Sequence, residues 1–432
     1  MPRPRPSPTL GRDHGRSRLA APRRGVSKGE AGRAFLLHQL ARGLDQRLAL
    51  GPAFPTHVKG VYISAGVFDK RCKGRKTVQL WTTGVALARG AARTAQEIEA
   101  AGWDGMLVVD SQNLSGDPYV SLALAAAATT RIGLGTGVTN SVTRHAAATA
   151  TAITSVNRVS NGRAVLGIGR GDSALAHLGR APARLAQFER YLRQLQTYLK
   201  GEAVSFEEID IPPDVAPLLA GLHLHDAPPA SRIAWIAGGA KVPVEVAASG
   251  PKVIAMSALH ADRVMFTLGA DIERLKWGIA LVKKTRKDAG LDPDAIAFGA
   301  YVNLGCHTDI AAARSLVRGG LTTFARFSVM HGKTAVPTSA GDQRVLEALR
   351  SNYDMKAHTR GDSRQATTLT DDFIDRFAIV GPPDRCVERL RSLAALGLDK
   401  VAISGATRGA AVEDTAVGRQ LVMEHVLPAM RS

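Results

Sequence analysis

From Val78 onward, short apolar runs recur along the chain, each followed by a longer stretch with helical spacing. Strands are predicted at 78–82, 105–109, 132–137, 163–168, 242–247, 263–267, 296–304 and 399–403. These runs are β-branched and nearly continuously apolar, the pattern of strands covered on both faces. A helix is predicted over 90–101, and the Ala/Thr-rich segment between Gly137 and Arg163 has the length of a βαβ crossover. One phrase returns three times, as AGWDGMLVVD, HADRVMFT and LGLDKVAIS. In each copy an aspartate (Asp104, Asp262, Asp399) stands one or two residues before an apolar run, and Gly102 and Gly397 suit helix C-caps. Eight such strands separated by helices predict an α/β fold, a closed (β/α)8 TIM barrel. Two intervals exceed simple loops: Gly201–Arg232, rich in proline, and Thr334–Phe377, with a helical stretch at Gln343–Asn352. Both are expected to be insertions over the C-terminal mouth, where they would shape what enters.

Two neighbouring predicted strands end in glycine-rich corners, GTG at 135–137 and GIGRG at 167–171. Glycine there lets a backbone approach a ligand closely, so the pair predicts a cofactor seat. GIGRG also supports an alternative, a Rossmann NAD(P) dehydrogenase with Glu189 near the ribose. Against it, the motif lacks the third glycine spacing and sits in mid-chain. No G-x-S-x-G nucleophile elbow occurs.

Composition narrows the class. Hydrophobic content of 45% and charged content of 22% suit a globular protein, and no apolar run approaches the roughly 18 residues of a membrane span. Three scattered cysteines and a lone His223-x-His225 predict neither a disulfide framework nor a metal site. The net charge of +18 is concentrated at the start, since residues 1–76 hold 17 Lys/Arg against 4 Asp/Glu. That segment reads as a disordered basic leader with one amphipathic stretch at Ala34–Leu50. It is expected to be dispensable or an over-extended reading frame, leaving 77–432 as the catalytic domain. A nucleic-acid tether or transit peptide is the alternative.

Four stretches carry a family likeness: GTGVTNSVTRHAAATA (135–150), NGRAVLGIGRGD (161–172), VPVEVAASGPK (242–252) and FAIVGPPDRCVERLRSLAALGLDKVAI (377–403). Together they resemble the luciferase-like monooxygenase superfamily, and GVTN followed by TRH resembles its F420-dependent reductase branch, typified by methylenetetrahydromethanopterin reductase. The resemblance implies a barrel that binds F420, favoured here, or FMN. It also implies hydride transfer to a small organic substrate, a cytoplasmic setting and a homodimer, with no metal, membrane or nucleic-acid partner. An FMN-dependent monooxygenase using O2 and a non-catalytic binding barrel are the competing functions.

Carried over residue by residue, Gly137–Val138 matches a non-proline cis peptide behind the flavin ring. Asn140 matches a contact to the pyrimidine edge, although a turn residue would look the same. Asp110 matches a group meeting the cofactor, with helix capping as the competing role. Gly169, Gly171 and Asp172 match the corner beside the ring, and Asp172 and Asp110 are the candidate catalytic carboxylates. Ser249 and Gly250, ahead of Pro251, match a phosphate corner; a helix N-terminus with free N–H groups and a hydroxyl supports this independently. Thr267 and Gly269 are expected to complete it, and Arg144, Arg170 and Lys252 to meet an acidic tail. Two departures stand out. Ser111 replaces a catalytic histidine found in sugar-phosphate dehydrogenases, and Trp81 stands where pterin reductases tend to carry an acid.

Overall fold

A computed structural model describes residues 77–330, 332 and 336–432. The basic leader, its Ala34–Leu50 stretch and the first residues of the 334–377 interval lie outside the described residues. The strands are β1 (Gln79–Gly84), β2 (Gly105–Val108), β3 (Gly133–Thr136), β4 (Thr139–Asn140), β5 (Ala164–Gly169), β6 (Val244–Ala248), β7 (Arg263–Phe266), β8 (Ala297–Cys306), β9 (Ile379–Gly381) and β10 (Lys400–Ser404). Between them run α1 (Ala91–Ala100), α2 (Pro118–Ala128), α3 (Ala146–Val159), α4 (Ser173–Ala176), α5 (Leu185–Leu199), α6 (Pro251–His260), α7 (Ile272–Asp288) and α8 (Ile310–Phe327). Then follow α9 (Ala340–Ser351), α10 (Asp371–Phe377), α11 (Pro383–Ala395) and α12 (Val412–Leu421).

All pairings are parallel, and β10 bonds both β1 and β8, so the sheet closes on itself. The result is a (β/α)8 barrel, with the eight predicted strands as its staves. Closure leaves no open crevice for a dinucleotide, which excludes the Rossmann alternative. Glu189, the supposed ribose contact, instead pairs with His260 on the neighbouring helix.

The recurrent aspartates have a structural explanation. Asp104 accepts from Leu80 N (2.7 Å), Asp262 from Val244 N (2.7 Å) and Asp399 from Phe298 N (3.3 Å). Each carboxylate thus satisfies an N–H near the start of the adjacent strand and sets the register between the two staves.

The core has two shells. Strand residues such as Leu134, Leu166 and Val244 pack outward against the helices, while Trp81, Leu107, Met265, Tyr301 and Ala402 fill the barrel interior. The Trp81 ring needs the glycines beside it: a Cβ at Gly105 would lie 2.4 Å from its Cδ2, and one at Gly133 2.3 Å from its Cη2. Trp81 is therefore barrel filling below the mouth rather than a strand-end residue facing substrate. Its replacement of an acid accordingly says nothing about a pterin.

Two elements were not predicted. After Gly137 the chain resumes as the short β4, pairing with β5, and β9 adds three residues beside the upper end of β8. Both are too short to show a periodicity.

The insertions separate. Residues 201–232 connect the end of α5 to β6 and close on themselves through Val204 and Ser231. An α-to-β connection of this kind lies at the N-terminal end of the strands, and none of its residues lines the mouth. The expectation that it covers the active site is corrected on this ground. The 334–377 interval does reach the mouth, through His358 and Thr359. No helix among the described residues is long and apolar enough to cross a membrane.

Candidate active site

The C-terminal ends of the strands surround a cavity of about 510 Å³. Asp110, Gly137, Val138, Asn140, Gly169, Gly171, Asp172, Ser249, Gly250 and Thr267 all line it, although they come from the ends of six strands, β2 to β7. The Gly137–Val138 peptide is cis.

Asp110 follows β2 and is buried. Thr139 Oγ1 donates to its Oδ2 at 2.6 Å, and Arg144 Nε lies 4.0 Å away. Burial raises its pKa above the ordinary carboxylate value, opposed by the Thr139 hydrogen bond and the Arg144 charge. The capping role belongs to a different residue: Asp117 accepts from Tyr119 N and Val120 N at the start of α2. Asp117 also engages Arg144, so that arginine is not free for an acidic tail.

Because the folded pKa of Asp110 is raised, its contribution to stability is complete below the unfolded value and is lost as pH rises through the folded one. Asp110→Asn is therefore expected to be more stable than the parent at neutral pH. Its advantage should vanish near pH 4, and urea denaturation of both proteins at the two pH values checks this.

Asn140 does two things. Its Oδ1 accepts from Val142 N and Thr143 N, both at 3.0 Å, which fixes the turn. Its Nδ2 is buried without a partner. The turn role and an open donor at the cavity thus coexist in one side chain. Gly171 has φ +83°, and a Cβ there would sit 2.7 Å from Leu175 Cδ1, so no larger residue fits this corner.

Asp172, a candidate catalytic carboxylate, is not unpartnered. It is clamped by Arg326 of α8, at 2.5 and 2.8 Å to its two oxygens. The guanidinium also lies 4.6 Å from the Tyr353 ring centre. Two ionic hydrogen bonds in this fork geometry hold the carboxylate in one orientation.

Gly250 is the N-cap of α6, with no side-chain cap, so the first amides of the helix remain open beside Ser249 and Thr267. Gly269 does not share this corner: it does not line the cavity, and a Cβ there would lie 2.8 Å from Phe377 O. Lys252 does not line the cavity either. Arg170 does, with Nε donating to Ala183 O at 2.6 Å.

Arg326, Tyr353 and His358 join the site only in the folded chain. His358 Nδ1 lies 2.7 Å from Tyr353 Oη, and burial pushes the imidazole down to about 4. It is neutral at neutral pH. No motif marks these residues, because only the folding of α8 and the 334–377 interval over the mouth brings them to the site. Among the described residues no cluster of His, Cys, Asp and Glu is suited to a metal.

Comparisons with known proteins agree with this arrangement. Residues 74–400 match the family model described as luciferase-like monooxygenase. The 5,10-methylenetetrahydromethanopterin reductase of Methanolobus tindarius is 27% identical over 314 residues, covering 72% of this chain and 88% of the relative. The enzyme of the same name from Archaeoglobus fulgidus is 29% identical over 345 residues, covering 77% and 93%. The coenzyme F420-dependent tetrahydromethanopterin reductase structure from Methanopyrus kandleri matches with a TM-score of 0.59 at 20% identity, over 83% of this chain and 100% of that one. An F420-dependent secondary alcohol dehydrogenase, solved with an F420–acetone adduct, has a TM-score of 0.61 at 15% identity, over 82% and 100%. The closed barrel and the family match over 74–400 lead to one conclusion: the chain belongs to the luciferase-like monooxygenase family and is an oxidoreductase of that family.

Proposed function

We propose that residues 77–432 form an F420-dependent oxidoreductase, which transfers a hydride between the deazaflavin and a small organic substrate. The observation that carries this reading is the convergence of an open helix N-terminus, an unpartnered buried amide and a buried carboxylate on one cavity. The fit to a deazaflavin nucleotide is chemical. Ser249, Gly250 and Thr267 suit its phosphate, since α6 offers free N–H groups and a positive dipole end. Asn140 Nδ2 and Asp110 suit the polar edge of the ring system, and the glycines at 137, 169 and 171 leave the backbone bare for its face. Such a cofactor, when bound, supplies a carbon centre that gives or takes a hydride.

The chain's own contribution is placement and exclusion of water. Arg326 holds Asp172 in one orientation beside the ring corner. Phe324 and Phe327 of α8 line the cavity with apolar surface. His358, neutral and braced by Tyr353, presents an uncharged polar group rather than a cation.

F420 and FMN, added separately to the purified protein and followed by fluorescence quenching, test the proposal. Tight binding of F420 with negligible binding of FMN is expected. The reverse result would assign the site to FMN and favour oxygen-using chemistry, and binding of neither would remove the cofactor reading.

A further inference from the structure

The cavity has a second polar wall that the proposed cofactor contacts leave unused. Tyr301 and Asn303 stand two residues apart on β8, so both face the same side of the sheet. Tyr301 Oη and Asn303 Nδ2 are buried and have no hydrogen-bond partner, and both residues line the cavity. Asn303 is only 1% exposed. A buried polar group left unpaired costs about 1–3 kcal/mol, so two on one wall point to a molecule that completes them.

Gly320 supports this independently. It lies within α8, where glycine costs roughly 1 kcal/mol relative to alanine. A Cβ at Gly320 would lie 2.8 Å from Asn303 Nδ2 and would close the space before the amide. The helix thus carries a destabilising residue at the place where it keeps a donor open to the cavity. Tyr301 and Asn303 themselves carry no charge, and the cations that line the cavity, Arg170 and Arg408, come from the segments after β5 and β10 rather than from β8 or α8. Phe324 lies parallel to Tyr301 at 6.2 Å, and Asp172 and Arg326 neutralise each other.

We infer that this wall is the substrate subsite, and that Asn303 and Tyr301 together hydrogen-bond the carbonyl oxygen of an uncharged organic substrate. The inference rests on the proposed function for calling the bound molecule a substrate. The recognition itself depends only on the wall. Neither Tyr301 nor Asn303 offers a countercharge to an anion or to an ammonium. A pure hydrocarbon would leave both polar groups unsatisfied.

Three probes of equal size test it on the full chain: cyclohexanone, cyclohexanecarboxylate and cyclohexylammonium, each titrated by ligand-observed NMR with and without F420. Cyclohexanone is expected to bind at least about tenfold more tightly than either ion. Asn303→Leu and Gly320→Ala should each weaken cyclohexanone binding by about tenfold or more while leaving F420 affinity within about twofold. Neither change should lower the melting temperature, because one removes an unpaired amide and the other adds a helix-favouring methyl beside a side-chain end that can turn away. Comparable binding of either ion, no binding of cyclohexanone, or unchanged cyclohexanone affinity in Asn303→Leu would overturn the inference. So would a parallel loss of F420 affinity in that variant, which would assign the wall to the cofactor. Failure of F420 to bind the parent protein would remove the cofactor proposal alone, since the probe series without F420 still reads the wall.

Discussion

Replacing Glu245 by alanine is expected to destabilise the protein by about 3–5 kcal/mol, the largest effect of any single change considered. Glu245 and Lys400 are both 0% exposed inside the barrel. Lys400 Nζ is 2.8 Å from Glu245 Oε2, Arg263 pairs with the other carboxylate oxygen, and the ammonium sits 3.2 Å from the Trp81 ring centre. The two cations hold the Glu245 carboxyl below its ordinary range against the opposing effect of burial. Burial lowers Lys400 to about 8, partly offset by Glu245. Without the glutamate, Arg263 and Lys400 are left with no counter-charge in a closed apolar barrel, and a typical domain has only about 5–15 kcal/mol in total. The double change Glu245→Ala/Lys400→Met should recover part of the loss, because it removes one of the two stranded polar groups. Urea unfolding of the single and double variants measures the coupling. Strict additivity would mean that the buried ion pair is not what holds this floor together.

Gly250→Asp is expected to lower F420 affinity by at least about 100-fold, since like charges brought together at a binding site cost several kcal/mol. The same change should leave the fold intact or slightly firmer. Gly250 has φ −90°, and nothing lies within 4 Å of an added Cβ. Aspartate is among the preferred N-cap residues and gains from the helix dipole, by about 0.3–1 kcal/mol. The opposite signs make the result specific: stability rises while binding falls. A calorimetric F420 titration alongside a thermal melt checks both. Unchanged affinity would remove the phosphate from the start of α6.

Much of this architecture could be read along the chain. The eight staves, the helix at Gly90–Ala101 and the one within 334–377 follow from run length and spacing, which report local hydrogen bonding and burial. The site glycines were visible for a related reason, since their positions at strand ends are local facts. What spacing could not reveal was company. The partner of Asp172 lies 154 residues away in Arg326, and that of Glu245 lies 155 residues away in Lys400. Trp81 illustrates the same limit: it is near a strand end in sequence, yet it points into the filled interior.

The two insertions show most clearly where local pattern stops. Both are long, polar and irregular, and nothing in their composition separates them. Strand direction does, because a segment that leads from a helix into a strand emerges at the end opposite the active site, as 201–232 does. The order of residues is thus enough to predict a parallel barrel and a glycine-lined mouth, since each arises from neighbours in the chain. Closure of the sheet alone settles which charges are paired, which polar groups stay open in the cavity and which insertion covers it. These depend on the meeting of distant segments, and a chain's periodicity carries no record of distance in space.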